Sequence, residues 1–404
     1  MQDQRIYESG IINSAHFNAL RDILEKGSHD STFISSMSGT GPIEEFEEAF
    51  ARESGATHAL ALSSCTAALH TALMAAGIGP GDEVIVSPYS WGQSVSPVLF
   101  VGATAVFADI CPETLTLDPE SMENRLSSRT KAIIPVHLFG NPADMDRICC
   151  IAQRRELHVI SDAAQAFGAL STGRKIGGLG NAACFSLGRG KALFGGEGGV
   201  LVTNDQSLYE RAIAISQHPL RAFRQITRTS DFLFSDEVNW NYRIHPLAAV
   251  LASADLKVSR ERLVHRKKIY DMALSEIKSI PGIEPVHCYT GDSSAAYGIA
   301  MTYNRQELSG ISRESFVESL YDLGVVISAG PVKVPIHKRP TFQRTDKDWF
   351  RVVPHPSHKD GSCPISELRC KYEELQLLNA NTLDKTRMDD ATEILQKLRE
   401  HCLY

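Results

Sequence analysis

The chain has 404 residues, a net charge of −7, and 43% apolar against 22% charged residues. That length and balance suit a soluble globular protein of two or three domains, and the acidic surplus gives no electrostatic reason to expect nucleic acid as a partner. No stretch reaches the apolar length that spans a bilayer, the first residues lack a signal-peptide pattern, and the nine cysteines show no zinc-site spacing, so reduced thiols in a cytoplasmic protein without a structural metal are the simplest reading.

The first 50 residues read as helical, with polar loops at 28–31 and 35–41. Pro42 followed by Glu44, Glu45, Glu47 and Glu48 opens a helix whose Ile43, Phe46 and Phe50 share one face. From about residue 56, short apolar runs alternate with helical stretches: 58–62, 83–86, 105–107, 132–136, 158–161 and 198–203. Near-continuous apolar strands separated by helices predict an α/β fold with a largely parallel sheet covered on both faces. Ligands in such sheets sit at the carboxyl ends of the strands, and Ser63 and Asp162 directly follow two of these runs.

Past residue 255 the chain is more charged. Leu256 to Glu276 reads as a long amphipathic helix, 338–363 as a long polar loop, and Leu383 to Leu403 as a terminal helix. This divides the chain into a large domain over 1–255 and a smaller α+β domain over 256–404.

Four features carry chemistry. Ser63-Ser64-Cys65-Thr66 follows a strand and opens an apolar helix, where free N–H groups and the helix dipole favour a phosphate; the same pattern also serves as an ordinary helix cap. Asp162 ends an apolar strand, and a buried acid there needs a partner, or caps the next helix. Gln165 follows three residues later. Cys184-Phe185-Ser186-Leu187-Gly188-Arg189-Gly190-Lys191, running into the glycine cluster 195–199, sets one lysine in a turn of small residues. A lysine that holds pyridoxal phosphate as a Schiff base, with a carboxylate facing the ring nitrogen, fits this pairing of Lys191 with Asp162. Trp91, after the strand at 83–86, either stacks on such a ring or simply packs. His137 and His337 read as hydrogen-bonded turn histidines, and Cys65 as a small buried residue.

Taken in order, these pieces together with the 135–145 run Pro-Val-His-Leu-Phe-Gly-Asn-Pro-Ala-Asp-Met, Gly196-Glu197-Gly198-Gly199 and Asn241-Tyr242-Arg243 resemble the DegT/DnrJ/StrS family of sugar aminotransferases. That family is a branch of the fold-type-I pyridoxal-phosphate enzymes. The resemblance implies a large domain with a mainly parallel seven-stranded sheet and a small α+β C-terminal domain. It implies Lys191 as the catalytic lysine, Ser186, Cys65 and Thr66 at the cofactor phosphate, Asp162 at the ring nitrogen, Gln165 at the ring oxygen and Trp91 on the ring face. Asn241 aligns with a phosphate contact from a neighbouring subunit, so a homodimer with shared sites is implied.

Cys65 departs from the usual Gly, and Leu187-Gly188-Arg189-Gly190 from the usual loop before the lysine. The expected reaction moves an amino group from L-glutamate or L-glutamine to a keto sugar, often nucleotide-linked, or a keto cyclitol. Dehydration or a non-sugar substrate on the same cofactor, and a non-catalytic homologue, are the rival readings. Relatives that dehydrate sugars replace the lysine by His, so Lys191 argues for transamination.

Overall fold

The computed structural model describes residues 12–226, 238–343, 360–383 and 386–403. Helix α1 (Ser14–His29) is followed by α2 (Pro42–Ser54), whose Ile43, Phe46 and Phe50 are fully buried, as their shared face predicts. The loop expected at 28–31 is shorter than its composition suggests. Ser28 stays helical by bonding its hydroxyl back to the Glu25 carbonyl, and the helix closes at Asp30.

Strands β1 (His58–Leu62), β2 (Glu83–Val86), β3 (Thr104–Phe107), β4 (Thr130–Ile134) and β5 (His158–Asp162) follow, with a two-stranded ribbon of β6 (Leu170–Ser171) and β7 (Arg174–Lys175). Then come β8 (Ala182–Ser186) and β9 (Gly199–Thr203), completing a seven-stranded sheet in the order β1-β9-β8-β5-β4-β2-β3. The pairings β8–β5–β4–β2–β3 are parallel, whereas β9 runs antiparallel to both β8 and β1. The apolar runs arise because both faces are covered. Leu60 and Leu62 point into one core layer, and Ala59 and Ala61 into the other.

The helix expected from Leu256 begins at Pro246, capped by His245, and runs to Ile277. Ala249 and Ala252 near its start pack on the large sheet, while Ile269, Tyr270, Ala273 and Ile277 belong to a second core. That core lies under a three-stranded antiparallel sheet of β10 (Ile283–Pro285), β11 (Gly298–Tyr303) and β12 (Glu374–Asn379). The boundary expected at residue 255 therefore falls within one continuous helix. The terminal helix spans Met388–Leu403. Of the long loop expected at 338–363, residues 344–359 lie outside the described residues; Pro340–Gln343 forms a short helix.

A buried ion pair braces the sheet edge. Arg221 Nη2 donates to Glu47 Oε2 at 2.6 Å, and Glu47 Oε1 accepts the Ala61 N–H of edge strand β1 at 2.7 Å. The carboxylate thus satisfies a backbone donor that no neighbouring strand reaches. Replacing Arg221 by Met strands this carboxylate in the core. Urea unfolding should show a loss of about 3–5 kcal/mol, partly recovered when Glu47→Gln is added, whose neutral amide oxygen still accepts the Ala61 N–H.

Candidate active site

The carboxyl ends of the parallel strands converge on a cavity of about 440 Å³. Its lining includes Cys65 and Thr66 after β1, Trp91 and Ser94 after β2, His137 after β4, Asp162 and Gln165 from β5 and its following turn, and Ser186, Arg189 and Lys191 from the end of β8 and its following turn. Seven of the eight expected site residues therefore meet in one place. The exception is Asn241, which is exposed, accepts a hydrogen bond from Arg243 Nε at 2.9 Å, and is absent from the lining.

At one end, helix α3 (Cys65–Ala75) begins with its N-terminus toward the cavity. Ser64 caps it, its Oγ accepting from Ala67 N at 3.0 Å. The capping reading is thus correct for Ser64, and it leaves the N–H groups of Cys65 and Thr66 without intrahelical acceptors. Gly199 presses against this helix start: a Cβ there would lie 2.3 Å from Cys65 N. Ser186 Oγ stands 3.4 Å from Gly188 N on the adjoining turn. Cys65 does not use its thiol here. The Sγ donates to the Cys184 carbonyl at 3.4 Å, and burial pushes the thiol well above its ordinary pKa, so it stays protonated.

Asp162 is buried. Its Oδ2 accepts from Ser94 Oγ at 2.6 Å, and its Oδ1 from Ala164 N at 3.1 Å. Ser94 is bonded in turn to Ser90 at 2.7 Å. Burial raises the Asp162 carboxyl above its ordinary range, against the opposing pull of these hydrogen bonds and of Lys191. A carboxylate so placed is short of positive charge, and a protonated ring nitrogen would supply it.

Gln165 is oriented by its own acceptor atom. Oε1 takes the Phe139 N–H at 2.7 Å, which directs the amide N–H₂ away from that turn as a free donor. Trp91, half-exposed at 51%, presents an indole at the cavity wall. His137 is held neutral, its pKa lowered to about 3 by burial, with Nδ1 accepting from Ala143 N at 3.0 Å. Lys191 lies half-buried in the turn after β8, its Nζ 3.4 Å from the Tyr297 hydroxyl.

Ser94 and Tyr297 escaped the sequence reading. Ser94 had a usable signal, a hydroxyl three residues beyond Trp91 in a chain that needed a partner for a buried acid. Tyr297 had none, since it arrives from the small domain.

The family model for the DegT/DnrJ/EryC1/StrS aminotransferases matches residues 26–357. The chain belongs to this family. Among its relatives, the GDP-perosamine synthase of Caulobacter vibrioides is 36% identical over 329 residues, covering 80% of this chain and 84% of that protein. The spore coat polysaccharide biosynthesis protein SpsC of Bacillus subtilis is 34% identical over 320 residues, covering 78% and 81%. Of the solved structures, 3-amino-5-hydroxybenzoic acid synthase superposes with a TM-score of 0.81 at 26% identity, covering 96% of each chain. As a member of the DegT/DnrJ/EryC1/StrS family the protein is an aminotransferase, and its cofactor is pyridoxal 5'-phosphate. The cavity fits that cofactor on its own evidence: an anion cradle at the start of α3, against which residue 199 packs too closely to carry a Cβ, and a buried carboxylate in need of a cation.

Gly199→Ala should break the cradle, because backbone and not a flexible side chain occupies the space. Titration of the purified protein with pyridoxal phosphate, followed by absorbance, should show affinity at least about tenfold weaker, the scale of one or two charge-assisted hydrogen bonds.

Proposed function

We propose that this protein transfers the amino group of L-glutamate or L-glutamine to a nucleotide-linked keto sugar in amino-sugar biosynthesis, as a homodimer with shared sites. The observation that carries the reading is Lys191 sharing one cavity with the buried Asp162, with a phosphate cradle at the same cavity. The GDP-linked product in the name of its 36%-identical relative supports a nucleotide sugar as the acceptor class. The nine cysteines, all unpaired, support a reducing compartment such as the cytoplasm.

Lys191 would hold the cofactor through its ε-amine. Ser186 and the N–H groups of Cys65 and Thr66 would take the phosphate, Asp162 the ring nitrogen, Gln165 the ring oxygen, and Trp91 the ring face. Pyridoxal phosphate, when bound, supplies an electron sink for the pair left as a proton leaves the amine-bearing carbon. Lys191 would take that proton and return it two atoms away, across the intervening nitrogen, as a general base and acid. Asp162 keeps its charge opposite the ring nitrogen, and Ser94 and the Ala164 N–H keep the carboxylate oriented. The half-exposed indole of Trp91 screens one side of the cavity from water.

A second copy is supported by the surface beside Asn241. Phe100 and Trp240 are exposed, at 45% and 51%, on either side of His70. Exposed rings gathered around one side chain are consistent with a surface that a second copy would cover. In such a dimer Asn241 would reach the partner's phosphate.

The absorption spectrum tests the core of the reading. The cofactor band of the purified protein should be bleached by L-glutamate or L-glutamine alone, steady-state kinetics with an acceptor should be ping-pong, and Lys191→Ala should abolish both. A band that no donor bleaches defeats transamination. Subunit exchange tests the shared site. Lys191→Ala and Asn241→Ala chains should each be impaired alone yet regain activity on mixing, because one site of each hybrid dimer has both residues. No recovery places Asn241 outside the partner's site.

A further inference from the structure

Resting on the aminotransferase reading of Lys191, we propose that Tyr297 is a further catalytic residue. Its hydroxyl holds the Lys191 ε-amine in place whenever that amine is not covalently tied to the cofactor. The two groups are in direct contact. Lys191 Nζ lies 3.4 Å from the Tyr297 hydroxyl and 5.1 Å from the centre of its ring. Both line the cavity that contains Asp162 and Gln165.

The need for such a contact follows from the side chain. A lysine amine rides on a flexible four-carbon stem and carries about 2 kcal/mol of rotamer entropy. Covalent attachment removes that freedom, but the reaction releases the amine just when it must move a proton. At that stage something else has to fix it near the reacting carbon, because misplacement by about 1 Å can cost on the order of a hundredfold in rate. A tyrosine hydroxyl suits the task in both protonation states. It accepts from the ammonium once Lys191 has taken the proton, and donates to the neutral amine before. The ring face adds attraction for the cationic form.

Tyr297 is itself held by backbone, not by chance packing. Its N–H donates to the Phe139 carbonyl at 3.0 Å, and the Ala295 N–H donates to the Gly140 carbonyl at 2.9 Å. The Phe139 N–H donates to Gln165. One short turn thus fixes the group that bonds the lysine and the group placed for the cofactor's ring oxygen. The turn is built for this approach. Phe139 and Gly140 both have positive φ, at 56° and 85°, and a Cβ on Gly140 would lie 3.0 Å from Tyr297 N. A bulky residue in the left-handed region is strained and persists only where its surroundings demand it.

Tyr297→Phe tests the assignment, because it keeps the ring and removes only the hydroxyl. Cofactor-free protein is mixed with saturating pyridoxal phosphate, and the first-order rate of covalent attachment is followed by stopped-flow absorbance. Borohydride trapping confirms Lys191 as the attached residue. Attachment should go to completion but about tenfold more slowly than in the parent, and donor-dependent bleaching should slow by about tenfold or more, with the unfolding midpoint unchanged. Tyr297→His, whose ring nitrogen stops short of the tyrosine oxygen and can bond the amine through a water, should recover part of both rates, and it serves as the test variant if the phenylalanine protein is unstable. Attachment within twofold of the parent in Tyr297→Phe overturns the proposal, as does an equal loss in both variants. A parent protein that attaches no cofactor at Lys191, or that no donor bleaches, defeats the aminotransferase reading instead.

Discussion

The buried carboxylate of Asp162 is the constraint around which the site is arranged. An acid at the end of a central strand, with sheet on both sides, cannot be solvated, so its charge has to be met locally. Ser94 and the Ala164 N–H meet part of it, yet burial still holds the carboxyl above its ordinary range. The site therefore keeps an electrostatic deficit that a cationic ring would relieve, and a ligand that met it would stabilise the fold as well as the site. The parallel direction of β2, β4, β5 and β8 matters for the same reason. It brings Ser94, His137, Asp162 and Ser186 out at one edge of the sheet, within reach of a single ligand.

The second organising element is the turn at Phe139 and Gly140. Its N–H and carbonyl groups connect Gln165 on the large sheet to Ala295 and Tyr297 of the small domain. The two halves of the molecule therefore meet at Lys191. Any motion of the small domain relative to the sheet acts on the position of Tyr297, and this makes the interface part of the chemistry as well as of the packing.

Much of this was legible in the residues because it rests on local rules. Apolar runs marked β1, β2, β4 and β5, and of the two residues noted directly after such runs Asp162 lines the cavity while Ser63 does not. Lys191 and Asp162 stood out by residue type against their apolar surroundings. What stayed hidden depends on distance along the chain. Strand β8 is Ala-Ala-Cys-Phe-Ser, too poor in β-branched residues to stand apart from the turn that follows it. The reversed direction of β9 lies in its antiparallel pairing with β8 and with β1, the latter some 140 residues away, and not in its own apolar run. The long helix begins ten residues before its amphipathic pattern, since its first turns are buried on the large sheet and carry no polar face. Tyr297 reaches the lysine across 106 positions, a separation over which no spacing rule operates.

That same helix limits how the protein can be recombined. At 32 residues it is about 48 Å long, from a rise of 1.5 Å per residue, and it presents Ala249 and Ala252 to one core and Ile269, Tyr270 and Ile277 to the other. The angle between those two faces is set by residue count alone. One inserted residue would turn everything downstream by about 100° and aim the second set of side chains at water. A chimera that borrows a small domain from a relative must therefore conserve the helical phase across the seam, whatever it does to the loops, and indels in this stretch should be far rarer among functional variants than substitutions.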